Sequence, residues 1–388
     1  MEASPPAMST DRGRRPRSFL PHLLRVKAST CFGRRITPPF VTLYVTTRCD
    51  ESCIHCYYWD ELNPRPNRDM SLDEFDETLS SMGEIFNLFI GGGEPFLRPD
   101  LAEILLAAHR HNRVANAYVP TNGQHAKRVV AVVRDVLTAA PGMRFHLNLS
   151  VDHVDEAEHD RIRGRTGAFR RLLQTAEAVE PLRAEHPGLV LHTLTTVMRD
   201  NQADILRIHE ELKRRFQPDG TSYNYCRGNP LDPAQTEVDP AVYRALAERV
   251  RQDRQTGRLG HGRIRAANHS LDERVRESVE RTVIERRAQF SCVSGRLACV
   301  IYSNGDVTEC ETKNSPLGNL REVGYDFPSL WNSDRARHVA REAADGCFCT
   351  HECGHYASTI YSPKLLAKVV AGAARPSGRQ RSPRIAAR

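Results

Sequence analysis

The sequence predicts an α/β fold built on parallel strands, either an open doubly wound sheet or a full or partial barrel, followed by a small cysteine-rich α+β domain. Apolar runs of strand length alternate six times with segments of helical periodicity from residue 41 onward. The short connections indicate parallel strands with right-handed crossovers. From Phe290 the pattern changes to short strands joined by the turn Asn304-Gly305, which is typical of a β-hairpin.

The six β–α units follow one another directly. The first strand covers residues 41–46, and the next helix begins at Ser71, where Glu74 completes a capping box. Asp100 with Glu103 predicts a cap for the second helix. The other predicted strands cover residues 87–90, 114–119, 145–149, 189–197 and 221–226, and the other predicted helices cover residues 124–139, 168–179, 202–216 and 240–255.

Chemically informative residues stand at or just after the end of each predicted strand. In parallel α/β folds, ligands bind at the carboxyl ends of the strands. We therefore expect one mouth of the fold to be ringed by Cys49, Gly92, Asn122, Ser150, Met198 and Cys226.

Composition excludes several classes of protein. The 388 residues are 40% hydrophobic and 27% charged, as in an ordinary globular chain. No apolar stretch reaches the roughly 18 residues that span a bilayer. Arg25 and Lys27 interrupt any apolar export signal, so a cytoplasmic location is expected.

The net charge of +7 lies at the two ends of the chain. Residues 1–35 carry eight basic and two acidic residues, residues 363–388 carry seven basic and no acidic ones, and residues 36–362 carry 40 basic and 46 acidic ones. A nucleic-acid enzyme more often has a basic folded domain, so no nucleic-acid partner is expected. The basic ends are expected to be solvated, although the amphipathic segments 19–26 and 365–370 allow a weak contact with a membrane surface.

Nine of the eleven cysteines fall into three groups of three. In a large chain without a signal peptide, an odd cysteine count favours metal or cluster ligation over disulfides. The two single cysteines, Cys31 and Cys226, are expected to be small buried hydrophobic residues. The groups are Cys49, Cys53 and Cys56; Cys292, Cys299 and Cys310; and Cys347, Cys349 and Cys353.

The first group, Cys49-x-x-x-Cys53-x-x-Cys56, lies in the loop after the first strand. Iron–sulfur clusters normally take four cysteines, so three thiolates would leave one iron open for a substrate or cofactor. A zinc site completed by His55 or a distant residue is the alternative.

This loop resembles the signature of the radical S-adenosylmethionine (SAM) enzymes, and Gly91-Gly92-Gly93-Glu94-Pro95 resembles the family's glycine-rich segment. The resemblance selects a partial (β/α)6 TIM-like barrel among the possible folds. It implies a SAM-binding [4Fe-4S] cluster on the three cysteines. It also implies reductive cleavage of SAM to a 5′-deoxyadenosyl radical that abstracts hydrogen from the substrate. The implied contacts to SAM are His55, Gly92, Gly93, Glu94, Asn122, Ser150, Asp152, Arg163 and Met198.

The pattern from Cys292 through Gly305-x-x-x-x-Cys310 to the last cysteine group resembles the auxiliary-cluster extension called SPASM or, in its shorter form, twitch. Two more all-cysteine clusters would need about eight ligands, and six cysteines are present, so one auxiliary cluster, expected to be [4Fe-4S], is predicted. The preferred ligands are Cys292, Cys310, Cys347 and Cys353. Cys349 could replace Cys353, and whether Cys299 takes part stays open. His351 and His355 are possible substitutes but are expected to be ordinary surface histidines, and a structural zinc ribbon is the alternative for this region.

The resulting division of the chain is a basic extension (1–36), a radical SAM core (37–256), a helical connector (257–289), an auxiliary-cluster domain (290–362) and a disordered basic tail (363–388). The resemblance implies an oxidoreductase or modifying enzyme for a peptide or small polar substrate, reduced by flavodoxin or ferredoxin. The rival function is that of a zinc-binding, nucleic-acid-interacting protein.

Overall fold

A single nine-stranded β-sheet organises the molecule. The computed structural model describes residues 19–31, 34–255 and 263–373. The strands are β1 (Phe40–Thr46), β2 (Asn87–Gly92), β3 (Asn116–Thr121), β4 (Arg144–Ser150), β5 (Leu189–Val197), β6 (Gly220–Tyr225), β7 (Ala298–Ile301), β8 (Asp306–Thr308) and β9 (Pro316–Asn319). Their spatial order is β6-β5-β4-β3-β2-β1-β7-β8-β9.

The first six strands pair in parallel in the order of the sequence. Helices follow these strands, as in a partial (β/α)6 barrel, so the predicted fold class is confirmed. The helices are α1 (Phe19–Cys31), α2 (Leu72–Ser81), α3 (Leu101–Asn112), α4 (Ala126–Ala139), α5 (Glu156–Arg163), α6 (Ala168–Glu185), α7 (Ile205–Phe216), α8 (Pro240–Gln255), α9 (Arg263–Glu285), α10 (Phe327–Trp331), α11 (Asp334–Ala344), α12 (Glu352–Tyr361) and α13 (Pro363–Ala373).

The capping predictions have mixed outcomes. At the start of α2, Ser71 and Glu74 form the predicted capping box. The prediction for α3 is wrong, because the Asp100 side chain makes no cap hydrogen bond. Its carboxylate instead accepts two hydrogen bonds of 2.9 Å from Arg98. A charged neighbour two residues away is a stronger partner for a carboxylate than a backbone N–H group.

The short helix α5 lies between β4 and α6 and was not predicted. Its N-terminus is capped by Asp155, whose carboxylate accepts a hydrogen bond from the Glu158 backbone N–H. It ends at Gly164, which adopts a left-handed conformation with φ +64°. This ending places the last residues of α5 against the loop that follows β1.

The C-terminal region continues the barrel sheet. Strand β7 pairs in parallel with β1, and β8 and β9 add two antiparallel strands. The predicted hairpin is present, with Gly305 at φ +93° in its turn. Behind it, Trp331 of α10 is 1% exposed and donates a hydrogen bond to the Ile36 carbonyl. The sheet therefore extends without a break from the barrel into the cysteine-rich region.

The prediction of a disordered tail from residue 363 is wrong for its first eleven residues. They form α13, which packs against α9 and α12. Val369 is the buried anchor of this helix, at 3% exposure. An apolar core contact outweighs the basic composition that suggested disorder. Residues 374–388 lie outside the described part of the chain.

The predicted helical connector contains α9, which packs against α8, α12 and α13. None of the helices in the described ranges is both long enough and apolar enough to cross a bilayer.

Candidate active site

Backbone hydrogen bonds hold the cysteine loop after β1 from two sides. On one side, Ser52 and Ile54 donate their N–H groups to carbonyls at the end of α5, over 3.1 Å and 3.0 Å. On the other side, Leu231 and Asp232 donate to the carbonyls of Cys56 and Ile54, over 3.0 Å and 2.8 Å. The conformation of the loop is thus fixed by elements that are more than 100 residues away in sequence.

The glycine-rich segment after β2 approaches the same loop. Gly93 and Glu94 donate backbone hydrogen bonds of 2.8 Å to the carbonyls of Thr46 and Arg48. A Cβ atom at Gly92 would lie 2.2 Å from the Thr46 oxygen, and one at Gly93 would lie 2.1 Å from the Arg48 oxygen. Only glycine permits this approach, so the segment and the cysteine loop form one surface.

Gly164 has the same role on the opposite side of the loop. A Cβ atom there would lie 2.5 Å from the Ser52 carbonyl oxygen. Its positive φ also disfavours other residues. The end of α5 can therefore contact the cysteine loop only with glycine at this position.

A buried guanidinium lies at the centre of the site. Arg163 is 6% exposed and pairs with Glu51 at 3.0 Å and with Asp152 at 3.1 Å. Burial opposes its charge, but the surrounding thiols and carboxylates hold the pKa of Arg163 well above its usual value. His55 lies 3.6 Å from the same Asp152 carboxylate, and burial lowers its pKa. A fixed positive charge therefore faces the interior of the cysteine loop.

The three thiols are partly enclosed. Burial raises the pKa of Cys49 to about 12, and it also raises the pKa values of Cys53 and Cys56. Arg163 acts in the opposite direction on all three. Thiols of this kind are inert without a metal, whereas a bound metal deprotonates them outright.

The Glu94 carboxylate joins the ends of β2 and β3. It accepts hydrogen bonds from the Asn122 and Phe96 backbone N–H groups and from the Thr121 hydroxyl, at 2.7, 3.1 and 2.9 Å. Burial raises its pKa to about 8. The Asn122 side chain donates to Asp50, at 2.8 Å. Glu94 and Asn122 are thus brought to the cysteine loop, and their side chains orient its surroundings.

The remaining predicted contacts also lie at the mouth. Ser150 ends β4 and is half-buried. Met198 is completely buried and packs in a small cluster with Ile162 and Cys226, against the partly buried Ile54 of the cysteine loop. Cys226 is 3% exposed, as predicted for a small buried hydrophobic residue. The side chain of Cys31 lies outside the described part of the structure.

Three exposed, largely apolar side chains lie beside the cysteine loop. Tyr57, Trp59 and Leu231 are 37%, 40% and 40% exposed. Trp59 donates its indole N–H to the Asn229 carbonyl, at 3.2 Å. We call Tyr57, Trp59 and Leu231 the apolar rim.

The candidate auxiliary-cluster site draws its cysteines from three segments of the C-terminal region, which contain Cys292, Cys310 and the group at residues 347–353. Burial and the nearby Cys349 and Cys292 thiols raise the pKa of Cys347. Cys310 lies in a turn and accepts a hydrogen bond from the Lys313 backbone N–H, at 3.2 Å. Burial raises its pKa to about 12.

Cys353 has different neighbours from Cys347. Its thiol interacts with the His351 side chain and with the Arg227 charge. Cys299, in contrast, lies within β7 at 2% exposure, and burial alone raises its pKa.

The prediction of two ordinary surface histidines is wrong. His351 and His355 are 7% and 2% exposed. His355 bonds to the Cys349 carbonyl at 2.7 Å and to Ser278 at 3.0 Å. His351 pairs with Glu311 at 2.9 Å. These contacts hold the last cysteine segment against α9 and against the loop after β8.

A polar contact between the two regions was missed at the sequence level. The Tyr44 hydroxyl lies 2.8 Å from the Tyr57 hydroxyl and donates to Glu311, at 3.0 Å. Arg227 pairs with Glu352 at 2.7 Å. All of these residues except Tyr44 are next to a cysteine in the sequence. No spacing rule joins residues so distant in sequence.

Comparisons with known proteins agree with this geometry. The family model "Radical SAM superfamily" matches residues 43–228, and the model "SPASM", an iron–sulfur cluster-binding domain, matches residues 292–354. The two matched ranges contain the two sites described above.

Two curated relatives match over most of the chain. AlbA, the antilisterial bacteriocin subtilosin biosynthesis protein of Bacillus subtilis (strain 168), is 25% identical over 82% of this chain and 66% of its own length. The chain thus spans slightly less than two thirds of that relative. The AdoMet-dependent heme synthase of Methanosarcina barkeri is also 25% identical, over 82% of this chain and 88% of its own length.

Solved structures share the fold. SuiB of Streptococcus suis bound to SAM superposes with a TM-score of 0.55 at 18% identity, over 81% of this chain and 69% of SuiB. Native anSMEcpe with bound AdoMet superposes with a TM-score of 0.55 at 15% identity, over 86% of this chain and 97% of its own. The chain belongs to the radical SAM superfamily, as an enzyme with a C-terminal SPASM iron–sulfur domain.

Proposed function

We propose that this enzyme cleaves SAM reductively at a [4Fe-4S] cluster held by Cys49, Cys53 and Cys56, and that it modifies a peptide. The observation that carries the proposal is the cysteine loop, which is fixed from two sides and offers three thiols around one buried cation, Arg163. A fourth cysteine is not part of this loop, so one iron would stay open for the cofactor.

The residues at the mouth fit both groups. The three thiols are free and partly buried on one loop, which suits a cluster held by three cysteines. Gly92 and Gly93 bring the segment after β2 directly against the cysteine loop, so its backbone would border a cofactor bound at that loop. His55, Glu94, Asn122, Ser150, Asp152, Arg163 and Met198 would complete the binding site for SAM.

The bound cluster and SAM would supply the one-electron cleavage and the 5′-deoxyadenosyl radical that takes hydrogen from the substrate. The chain's own residues position these groups and exclude water. Arg163 offsets the negative charge of thiolates in a buried site and can pair with a carboxylate. Met198, Ile162 and Cys226 pack an apolar wall behind the loop.

We propose one auxiliary cluster, of [4Fe-4S] type, in the SPASM domain. The thiols that act on Cys347 are those of Cys349 and Cys292, which favours Cys349 over Cys353 as a ligand beside Cys292 and Cys347. Cys310 completes the proposed set, as the resemblance implies. Cys353, which interacts with His351 and Arg227, would then remain outside the cluster.

A peptide substrate is supported by the apolar rim and by the relatives. Exposed aromatic and aliphatic side chains beside a mouth are typical of surfaces that bind protein segments. SuiB has been solved with its precursor peptide SuiA, and the PqqA peptide cyclase of Bradyrhizobium diazoefficiens is 29% identical over 36% of this chain. The heme synthase relatives keep a small-molecule substrate as the second candidate.

The one-electron reductant would be a flavodoxin or ferredoxin. We place the enzyme in the cytoplasm, where such reductants act. The reducing conditions there would keep the free thiols of the two cluster sites from forming disulfides. The zinc-binding, nucleic-acid alternative is not proposed, because both cysteine regions match models of radical SAM and iron–sulfur domains.

A label-transfer experiment tests the substrate class. Reconstituted enzyme is incubated with SAM and deuterated candidate peptides, and 5′-deoxyadenosine is analysed by mass spectrometry. We expect deuterium to arrive from a peptide whose side chains suit the apolar rim. Transfer from deuterated small molecules or porphyrins, with none from peptides, would contradict the peptide proposal.

Cys53→Ala should abolish SAM cleavage and remove about four irons per chain, because two thiolates cannot hold a [4Fe-4S] cluster with an open iron. Iron and sulfide counting after anaerobic purification measures this loss. Cys299→Ala is the matched control, since Cys299 is a buried cysteine inside a strand, and it should keep both clusters. Equal iron content in the two variants would disprove the assigned ligands.

Cys349→Ala and Cys353→Ala separate the two auxiliary ligand sets. We expect Cys349→Ala, like Cys310→Ala, to lose about four of roughly eight irons, to retain some uncoupled SAM cleavage and to form no product. Cys353→Ala should keep the full iron content. The reverse pattern of iron loss would show that Cys353 is the ligand.

Gly164→Ala should disturb the cysteine loop, because the new methyl group would clash with the Ser52 carbonyl. We expect lower occupancy of the SAM-binding cluster and at least about a tenfold loss of SAM cleavage, equal to about 1.4 kcal/mol. Gly324→Ala is the control, since Gly324 also has a positive φ, +57°, but a Cβ atom there would have no other atom within 4 Å. The prediction fails if both variants cleave SAM equally well.

A further inference from the structure

The first and last described helices of the chain meet on one side of the protein. The His22 imidazole of α1 hydrogen-bonds to the Tyr361 hydroxyl at the end of α12, at 2.6 Å, and Lys27 donates to the Tyr361 carbonyl. Helix α13 begins two residues later. A shallow groove between the two helices is lined by Leu23, Leu24, Lys27, Pro363, Leu366, Ala367, Val370 and Ala371.

The side chains along the edges of this groove are exposed and apolar. Leu20, Leu24 and Val370 are 61%, 62% and 59% exposed, the highest values among the large hydrophobic residues of the described part of the chain. Each helix also buries a side chain in the core, Val26 at 1% exposure in α1 and Val369 at 3% in α13. Leu20, Leu24 and Val370 therefore do not contribute to the core. Exposed apolar side chains grouped in this way indicate an interaction surface.

The charged residues of the two helices themselves are all basic, and of these Arg25 pairs with Glu84, outside α1. Lys364 and Lys368 of α13 are exposed. The sequence has no acidic residue between positions 12 and 49 or after position 352. The chain also has four arginines at positions 12–17, before α1, and five at positions 375–388, after α13. Exposed apolar side chains on helices that carry lysines, in a chain whose two ends are rich in arginine, match the interface of an anionic bilayer.

We propose that α1 and α13 together form a binding site for the surface of an anionic membrane, with Leu20, Leu24 and Val370 entering the interface. The basic residues supply the second attraction that a small apolar contact needs for stable binding. This surface gives a structural basis to the weak membrane contact predicted from the sequence.

Charge argues against two other occupants. A second copy of the chain in a two-fold dimer would place basic patch against basic patch. The chain's own residues 374–388 carry five arginines and one large apolar residue, Ile385, so they would repel the patch and could cover little of it.

The site lies away from the radical chemistry. His22 of α1 stacks on Phe86, with ring centroids 4.3 Å apart, and Phe86 precedes β2. The cysteine loop follows the opposite, carboxyl end of β1. Parallel strands have their amino ends at one edge of the sheet, so the bound enzyme would keep its mouth facing away from the bilayer.

Vesicle sedimentation tests the proposal with the full chain. Vesicles of phosphatidylcholine with about 30% phosphatidylglycerol carry the anionic charge, and vesicles of pure phosphatidylcholine do not. We expect binding to the anionic vesicles that weakens as salt is raised, and at least about tenfold weaker binding to neutral ones. Equal binding to both vesicles, or none to the anionic ones, would overturn the proposal.

Variants locate the surface. Leu24→Glu and Val370→Glu should each weaken binding to anionic vesicles by about tenfold or more, since a charge replaces an inserted apolar group. The double variant Lys364→Glu/Lys368→Glu should also weaken binding to anionic vesicles, although it removes no apolar surface. Leu206→Glu on α7, 44% exposed and outside the patch, is the control and should bind like the parent protein.

Two further readouts keep the test decisive. Circular dichroism and SAM cleavage should be unchanged in all these variants, because the patch is remote from the mouth. A dimer in sedimentation velocity that Leu24→Glu dissociates would assign the surface to a second copy and overturn the membrane proposal.

Discussion

The site depends on one constraint: a loop with three cysteines must hold its shape at the open end of the barrel. A loop cannot do this alone, because its backbone groups need partners and its thiols resist deprotonation when buried. Here the end of α5 and the segment after β6 supply the backbone partners. The glycine-rich segment after β2 closes the third side. Elements from across the barrel thereby converge on eight residues of chain.

Electrostatics follows from the same enclosure. Arg163 pairs with the carboxylates of Glu51 and Asp152 and lies near the three thiols, so this buried cation would also offset the charge of the thiolates of a bound cluster. Isolated buried charges are costly, and such a cluster is stable only when its members neutralise one another. In the SPASM region, the pair of His351 and Glu311 follows the same rule. Burial would raise the pKa of Glu311, but the charge of His351 and its hydrogen bond lower it to about 2. Burial would lower the pKa of His351, but the side chains of Cys353 and Glu311 raise it to about 10.

Local patterns explain what the sequence could predict. The spacing of Cys49, Cys53 and Cys56 and the run of glycines near Gly92 are contiguous, and the alternation of strands and helices is periodic. Contacts between distant segments were not predictable in this way. The pairing of β7 with β1 and the packing of α13 on α9 depend on tertiary contacts that no local pattern shows. The ion pair of Arg163 with Glu51 depends on α5, a helix too short to show a clear period. For the same reason basic composition at residues 363–373 suggested disorder where packing produced a helix.

The proposed chemistry requires that the cysteine loop leave one iron of its cluster open for SAM. Electron paramagnetic resonance of the dithionite-reduced, anaerobic protein, recorded with and without SAM, tests this requirement directly. We expect a reduced [4Fe-4S] signal that changes when SAM is added and a second cluster signal that does not. A spectrum unaffected by SAM, or a protein that contains zinc and no reducible cluster, would contradict it.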